Sequence, residues 1–406
     1  RRHFDNGKII QTHEQYPAAI EAVAKEFGIP YIDMNKATTE FLESLGDEAS
    51  KPYFMWLEPN VNPVYPMGRQ DNTHSVARGA HKNAAIVCDS IIAKVPELVP
   101  FLLEKSYNLV VAQDGSGDFM TVQEAVNAAP DCAGGEFTIM VRQGTYKECV
   151  TIPSTKTGLH IIGEGADRTV ISWDNAAQKP LKYSKGTTGT FGSSTVYALA
   201  DNLLFEDITI ENCAGRGELV GQALAIFTDG NNIIFRRCSL LGWQDTVYTH
   251  GKYDHEGKFC RNAFIDCYIE GSTDFIFGSS IAWFENCEIH SKKNSYITAA
   301  STPKEMPFGY VFHNCRLTAS PEADKVYLGR PWRPYAKVVF INCEMGSHIR
   351  PEGWHNWSKP ENEKTAYYAE YGCTGEGSDT SARVKWAHQL KAKEAAKYTY
   401  ENVILK

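Results

Sequence analysis

Residues 233–240 read Ile-Ile-Phe-Arg-Arg-Cys-Ser-Leu, and residues 310–317 read Tyr-Val-Phe-His-Asn-Cys-Arg-Leu. The same Phe-x-x-Cys pattern, once with Ile in place of Cys, occurs in six copies along the chain. The copies are Phe205–Ile208, Phe235–Cys238, Phe264–Cys267, Phe284–Cys287, Phe312–Cys315 and Phe340–Cys343. Their spacing of 20 to 30 residues is typical of a protein built from stacked structural repeats.

Apolar and polar residues alternate around each copy, which indicates strands with one buried face. Stacked repeats pair each strand with its equivalent in the next repeat, at roughly 4.7–4.9 Å. The sequence therefore predicts an all-β, right-handed parallel β-helix in which Phe stacks on Phe and Cys on Cys. Phe137–Val141 and Leu159–Gly163 are expected to begin the stack. Five of the eleven cysteines then act as small buried apolar residues without disulfide bonds.

Helices are predicted at both ends of this solenoid, because an open stack of strands has to be covered. Thr121 to Glu124 has the spacing of a capping box and leads into Ala125–Ala129, which predicts a short helix at the amino-terminal end. Residues Trp386–Ala396 are rich in Ala, Lys and Glu and predict a helix at the carboxyl-terminal end.

The first hundred residues follow a different pattern. Their apolar spacing predicts helices over Tyr16–Phe27, Thr38–Leu45 and Val76–Val95, with a buried strand over Ile29–Met34. This order of elements is typical of an α/β segment. We therefore predict two domains, 1–104 and 105–406.

The composition of the chain disfavours several classes of binding partner. The chain has 41 Lys and Arg against 49 Asp and Glu, a net charge of −8, which disfavours binding to a nucleic acid backbone. It contains no run of eighteen apolar residues, so no membrane-spanning helix is expected. No cysteine pair or His cluster has zinc-ligand spacing, and we expect no metal ion and no cofactor.

Two aspartates occupy equivalent positions in neighbouring repeats. Asp245 lies ten residues after Phe235, and Asp274 lies ten residues after Phe264. Two carboxylates this close in a partly buried site cannot both ionise easily, so one is expected to hold a proton near neutral pH. Many aspartates in turns only cap backbone amides, but the neighbouring residues favour chemistry here.

Those neighbours are two amides and one cation. Gln244 directly precedes Asp245, and Gln222 lies in the preceding repeat, so both can donate hydrogen bonds to an oxyanion. Arg330 lies two repeats beyond Asp274 and could pair with one carboxylate. Aromatic residues fall at similar offsets, and for them sugar stacking and core packing both stay open. They are Trp243, Tyr248, Phe277 and Trp332.

Four stretches of the sequence resemble the signature blocks of pectin methylesterases. They are Gly221-Gln222-Ala223, Gly242-Trp243-Gln244-Asp245-Thr246, Thr273-Asp274-Phe275-Ile276-Phe277-Gly278 and Leu328-Gly329-Arg330-Pro331-Trp332. Asp114–Phe119 with Thr121-Val122 resembles the opening strand and turn of that family. The resemblance runs in order from about Tyr107 to Lys406 and implies a parallel β-helix.

The resemblance also implies a role for each matching residue. Asp274 would be the nucleophile, Asp245 the general acid and then base, and Arg330 the partner of Asp274. Gln222 and Gln244 would donate to the oxyanion, and Trp332 and Phe277 would contact the sugar. The implied reaction removes methyl esters from galacturonate units of pectin and releases methanol, without a metal. The implied location is secreted or periplasmic, and we expect a monomer.

Residues 1–100 resemble the carboxyl-terminal half of a rhamnogalacturonan acetylesterase of the SGNH (GDSL) hydrolase class. The resemblance rests on Tyr31–Met34, Tyr53–Met55 and the Asp71-Asn72-Thr73-His74 arrangement. It implies Asp71 and His74 as two members of a Ser-His-Asp triad whose serine block has no counterpart here. From these four residues alone, a surface turn before a helix is the more common explanation.

Two other β-helix enzymes remain as alternatives. A pectate lyase would need a calcium-binding carboxylate cluster, and an inverting polysaccharide hydrolase needs carboxyls about 6.5–9.5 Å apart. Aspartates in adjacent repeats beside two glutamines fit neither mechanism well. A non-catalytic sugar-binding solenoid would keep the aromatic residues but would not need paired aspartates.

Overall fold

The computed structural model describes residues 2–59, 65–101, 107–132, 137–251 and 259–405. The chain divides into two compact units. The amino-terminal unit comprises Arg1–Ser106 with Ala128–Pro130, and the β-helix unit comprises Tyr107–Asn127 with Asp131–Lys406. The assignment of 1–104 and 105–406 to separate domains stays a prediction.

The β-helix unit winds through three sheets whose described strands all pair in parallel, which confirms the predicted solenoid. The first, the Phe sheet, consists of Leu109–Val111, Phe137–Val141, Leu159–Gly163, Leu203–Glu206, Ile233–Arg236, Arg261–Ile265, Ile281–Glu285, Tyr310–His313, Lys337–Ile341, Tyr367–Tyr371 and His388–Gln389. The second sheet consists of Gly144–Lys147, Thr169–Trp173, Thr209–Asn212, Ser239–Leu241, Tyr268–Gly271, Glu288–Ser291, Arg316–Ala319 and Glu344–Met345. The third sheet consists of Val150–Ile152, Val196–Ala198, Ile226–Thr228, Val247–Thr249, Ile276–Gly278, Tyr296–Ala300 and Tyr327–Gly329.

The repeat phenylalanines form one continuous stack in the core. From Phe205 to Phe340, consecutive rings are 4.3–4.9 Å apart and nearly parallel. All six are at most 1% exposed. Burial of a whole aromatic side chain contributes about 1.5–3 kcal/mol to stability, so this stack holds neighbouring coils in a fixed register.

A left-handed residue follows each of these strands and turns the chain into the second sheet. It lies two residues after the Phe, as in Asp207 and Asn314, with φ of 53° and 55°. Short side chains such as Asp and Asn tolerate this conformation better than most. The next residue is the repeat cysteine, and Cys287 Sγ, for example, donates to Phe264 O at 3.3 Å. All eleven cysteines are free, and the five repeat cysteines are buried, as the sequence predicts.

The amino-terminal cap is confirmed. A helix spans Val122–Ala128, and the Thr121 hydroxyl donates to the Glu124 carboxylate while accepting from the Glu124 backbone amide. The Thr121 hydroxyl thus satisfies the Glu124 amide, and the Glu148 carboxylate accepts the amides of Val122 and Gln123, which the first helical turn also leaves free.

The predicted helix Trp386–Ala396 is wrong over most of its length. Only Ala392–Ala395 is helical, and His388–Gln389 instead pairs with the strand Tyr367–Tyr371 at the edge of the Phe sheet. The Trp386 ring packs 5.6 Å from that of Tyr368. The unpaired edge of a sheet offers backbone hydrogen bonds that outweigh the helix propensity of this segment.

The amino-terminal unit has helices at Tyr16–Glu26, Met34–Leu45, Asp47–Ser50 and Ala77–Lys94. Its strands are Phe4–Asp5 with Lys8–Ile9, and Phe54–Leu57 with Arg69–Ser75, both antiparallel pairs. The three predicted helices are confirmed within a few residues. The predicted strand Ile29–Met34 is wrong: Ile29 is 59% exposed, and the Asp33 carboxylate caps a helix that begins at Met34. Pro30 also lacks the amide hydrogen that a strand ladder requires.

Candidate active site

The third sheet places the two predicted aspartates side by side. Val247 pairs with Ile276, and Asp245 and Asp274 each lie two residues before these partners. The two backbones are therefore about 4.8 Å apart. The structure thus brings together the residues that the repeat offset predicts to be neighbours.

Both aspartates have a left-handed backbone, with φ of 66° at Asp245 and 50° at Asp274. Their amides are held by the following coil, since Asp245 N donates to Thr273 O and Asp274 N donates to Tyr296 O. Each residue is only 7% exposed. Such a conformation persists when surrounding structure determines it, and it is more frequent at functional sites than elsewhere.

Arg330 reaches back across two coils to Asp274, as the sequence predicts. Its Nε donates to Asp274 Oδ1 at 2.9 Å, and a terminal nitrogen donates to Oδ2 at 2.6 Å. This two-point contact fixes both the charge and the orientation of the carboxylate. Among the described residues, the Asp245 carboxyl has no hydrogen-bond partner of its own.

The two carboxyl groups consequently differ in proton affinity. Burial raises the pKa of Asp245 well above its ordinary value, and the adjacent Asp274 carboxylate raises it further. Burial also raises the pKa of Asp274, but the Arg330 guanidinium opposes that rise. Asp274 is therefore the member of the pair that ionises first, and Asp245 is the member that retains a proton.

Gln222 and Gln244 lie on the adjacent coils beside the aspartates. Ala223 N donates to Gln244 O, which places the two glutamines one residue out of register. Both side chains are half-buried, and within the described part of the chain neither carboxamide is engaged in a hydrogen bond. Their amide hydrogens are free to bind an oxyanion.

Three of the four predicted sugar-contacting aromatics lie together. Phe277 packs 4.6 Å from Tyr248 and 5.8 Å from Trp332. Phe277 and Tyr248 are 4% and 5% exposed and form part of the core, whereas Trp332 is half-buried. Trp243 is outside this cluster and instead contacts the cationic groups of Arg216 and Lys292, at 5.1 and 4.0 Å from its ring.

Three aromatic residues at the site were missed by sequence analysis. Phe191 is 51% exposed and lies 5.1 Å from the Tyr248 ring. Tyr296 and Trp357 contact the Arg330 guanidinium, at 3.9 and 3.8 Å from their ring centroids. Phe191 and Trp357 lie in turns outside the repeat. Tyr296 stands at the aspartate position one coil further, but it lies twelve residues after Phe284, so the ten-residue offset points to Asn294 instead.

Asp71 and His74 form a hydrogen-bonded pair in the amino-terminal unit. Asp71 Oδ2 lies 2.8 Å from His74 Nδ1, and Asp71 Oδ1 accepts the backbone amides of Thr73 and His74. These bonds hold the pKa of Asp71 well below its usual range. The pair lies in the strand Arg69–Ser75, and its role in a triad stays a prediction.

The described residues offer neither a metal-binding cluster nor a membrane-spanning helix. No group of three or more His, Cys, Asp and Glu side chains there is arranged to hold a metal ion. None of the helices in that part of the chain has the length and apolarity needed to cross a membrane.

A parallel β-helix that brings together two aspartates, an arginine partner and two carboxamides agrees with the carbohydrate esterase class to which the following comparisons assign the chain. A family model described as Pectinesterase matches residues 108–406. Pectinesterase 31 from Arabidopsis thaliana is 39% identical over 298 residues, which cover 72% of this chain and 91% of that protein.

Solved structures agree with this classification. A pectin methylesterase from carrot is 33% identical, with a TM-score of 0.68, and the match covers 75% of this chain and 95% of that chain. Pectin methylesterase PemA from Erwinia chrysanthemi is 31% identical, with a TM-score of 0.62 and coverage of 74% and 97%. The chain belongs to the pectinesterase family.

Proposed function

We propose that the β-helix unit hydrolyses the methyl esters of galacturonate units in pectin and releases methanol, with Asp274 as nucleophile and Asp245 as general acid and then base. The observation that carries the proposal is the unequal environment of the pair. Arg330 binds both oxygens of Asp274, and Asp245 has no cation of its own among the described residues. One residue type thus supplies an anion and an acid in one site.

In the first step, an oxygen of ionised Asp274 attacks the ester carbonyl carbon. The carbonyl electrons move onto oxygen, where Gln222 and Gln244 donate hydrogen bonds to the developing negative charge. The bond to the methoxy group then breaks, and Asp245 gives its proton to the departing methanol. The products of this step are methanol and an acyl-enzyme anhydride at Asp274.

In the second step, ionised Asp245 takes a proton from water, and the resulting hydroxide attacks the galacturonyl carbonyl of the anhydride. Cleavage of the anhydride returns Asp274 as a carboxylate and releases the galacturonate acid. Asp245 is again protonated, so the pair regains its starting state. Each step uses only this chain's residues, the ester and water.

Paired isosteric variants test these roles. We expect Asp274→Asn and Asp245→Asn each to lower kcat for methanol release by at least about 10²-fold, since general acid–base catalysis alone contributes 10²–10⁴-fold. Asp266→Asn is the matched control. Asp266 has the same left-handed backbone, with φ of 54°, and Asn already stands at its equivalent in the next coil, Asn286. Wild-type activity in either catalytic variant would refute the assignment.

One assay separates this activity from its alternatives. Methanol, unsaturated product and new reducing ends are measured together on highly methylated pectin. We expect methanol alone. Unsaturated product would indicate a lyase, and reducing ends would indicate a chain-cleaving hydrolase.

We also propose that the chain works outside the cytoplasm, secreted or in the periplasm, and as a monomer. Pectin is a polymer outside the producing cell, which supports the location. The site described above is assembled from the side chains of one chain, which supports the monomer. Size-exclusion chromatography with light scattering tests the second point, and a dimer mass at assay concentration would contradict it.

A further inference from the structure

Two aromatic rings pack against the Arg330 guanidinium. The reaction proposed above assigns no chemical step to either ring. The Tyr296 ring centroid lies 3.9 Å from the Arg330 guanidinium carbon, and that of Trp357 lies 3.8 Å from it. Contacts this short place the planar cation directly against both rings. The side chain of Arg330 is 19% exposed, so water competes only weakly with these contacts.

Neighbouring residues restrain Tyr296 through its ring and Trp357 through its backbone. Tyr296 pairs in register with Tyr327 on the next coil, and their rings stack at 5.3 Å with an angle of 11°. Trp357 has a left-handed backbone with φ of 62°, which is an unusual conformation for so bulky a residue. Its amide donates to His355 Nδ1 at 3.1 Å, and the His355 ring lies 5.5 Å from that of Tyr296.

We propose that Tyr296 and Trp357 are positioning residues that clamp the Arg330 guanidinium and so keep its two hydrogen bonds aimed at Asp274. The inference rests on the function proposed above. An arginine side chain has several rotatable bonds, and without the rings it would spend part of its time turned away from Asp274. The strained backbone at Trp357 is then explained by the position that its ring has to occupy.

The clamp predicts a shift in the pH dependence of catalysis that a merely structural role would not produce. Arg330 opposes the rise in the pKa of Asp274. A loosened Arg330 therefore lets that pKa rise, and the nucleophile becomes protonated at a higher pH. The acid limb of the kcat/KM profile moves upward, while KM at the pH optimum stays unchanged because the rings act on Arg330.

Other titratable groups lie near Arg330 and its two rings, and their effect on the pH profile has to be distinguished from that of Asp274. They are Asp245, Tyr296 itself, His355 and Tyr368. Burial and the charges of Arg330 and Arg350 lower the pKa of His355. His355→Gln removes the imidazole, so an acid limb that persists in this variant does not belong to His355.

The experiment compares single variants of the whole chain by methanol release from a methyl-esterified galacturonate oligomer. A cation–π contact is worth a factor of roughly 3 to 30 in an equilibrium, and we expect Tyr296→Leu to lower kcat by that range and to raise the acid limb by about half to one pH unit. Tyr296→Phe keeps the ring and should restore both. Tyr367→Leu is the matched control: Tyr367 is a half-buried tyrosine of the Phe sheet that stacks on His388 at 4.7 Å, and its loss should keep the wild-type limb.

Every outcome decides between the proposals. If Asp274→Asn is inactive but Tyr296→Leu keeps the wild-type acid limb, the clamp is wrong and the catalytic assignment stands. If Asp274→Asn is active, the catalytic assignment fails. If Tyr296→Leu does not fold, Trp357→Leu is read in the same way, because it removes the opposite face of the clamp.

Discussion

The two units of this chain bury apolar residues in very different ways. In the β-helix unit, coil after coil places a Phe that is almost fully buried against the next one. Between Arg2 and Phe101, the structure describes only two buried apolar side chains, Leu42 and Val95. In a repeat protein each strand pairs with the equivalent strand of the next repeat, so successive repeats bury each other's apolar residues. An amphipathic helix is buried only where a neighbouring element presents a matching apolar face.

The helix Tyr16–Glu26 shows this dependence. Tyr16, Ile20 and Val23 follow helical spacing and are 69%, 57% and 53% exposed, and Phe27, just beyond the helix, is 68% exposed. Together they form an apolar stripe on the amino-terminal unit. The comparison therefore predicts that the β-helix unit is much the more stable of the two and that the units unfold in separate steps.

The largest effect is expected from the core of the β-helix unit. Phe284→Ala removes a ring packed 4.7 and 4.3 Å from its two neighbours, and we expect a loss of about 3–5 kcal/mol in the free energy of unfolding. The loss should appear in the later of two urea transitions followed by circular dichroism. Leu42→Ala is the matched change in the amino-terminal unit and should move only the earlier transition. A single shared transition in both variants would break the comparison.

A smaller effect of opposite sign is expected at the active site. The folded pKa of Asp245 lies above the unfolded value of about 3.9, so its ionisation destabilises the fold, and this cost appears as pH rises from about 4 through the folded pKa. Asp245→Asn cannot ionise. We therefore expect the free energy of unfolding of Asp245→Asn to exceed that of the wild type at about pH 8.

The control for this prediction is the same measurement in acid. At about pH 3.5 the wild-type carboxyl is already protonated, so the two proteins should unfold at similar urea concentrations. Equal stability at both pH values would mean that Asp245 does not carry a raised pKa. Asp245→Asn would then lose activity without the gain in stability that we expect.

The smallest effect is expected on the exposed stripe. Phe27→Ser replaces a side chain that is 68% exposed, and we expect the free energy of unfolding to change by less than about 0.5 kcal/mol. A loss above about 1 kcal/mol would show that Phe27 is covered in solution, and the contrast between the units would be smaller than the structure indicates.

Most of the β-helix and its site could be predicted from the sequence, because in a repeat the number of residues between two positions fixes where they lie in neighbouring coils. The offset of ten residues from Phe235 and Phe264 was sufficient to place Asp245 beside Asp274. It could not reveal that Trp357 packs on Arg330, because a long side chain that crosses two coils meets residues from turns that follow no period. Outside the repeat the failures were local, as at Pro30 and at the sheet edge that recruits His388–Gln389.

Four residues share one position on consecutive coils: Asp245, Asp274, Tyr296 and Tyr327. A solenoid thus has one equivalent position in every coil, and these positions lie side by side. Substitutions at them can build an active site without any new loop. The Phe264 to Phe284 interval is only 20 residues long, yet the rings stay stacked. Turns can lengthen or shorten around such a site while the distance between its two acids stays set by the spacing of paired strands.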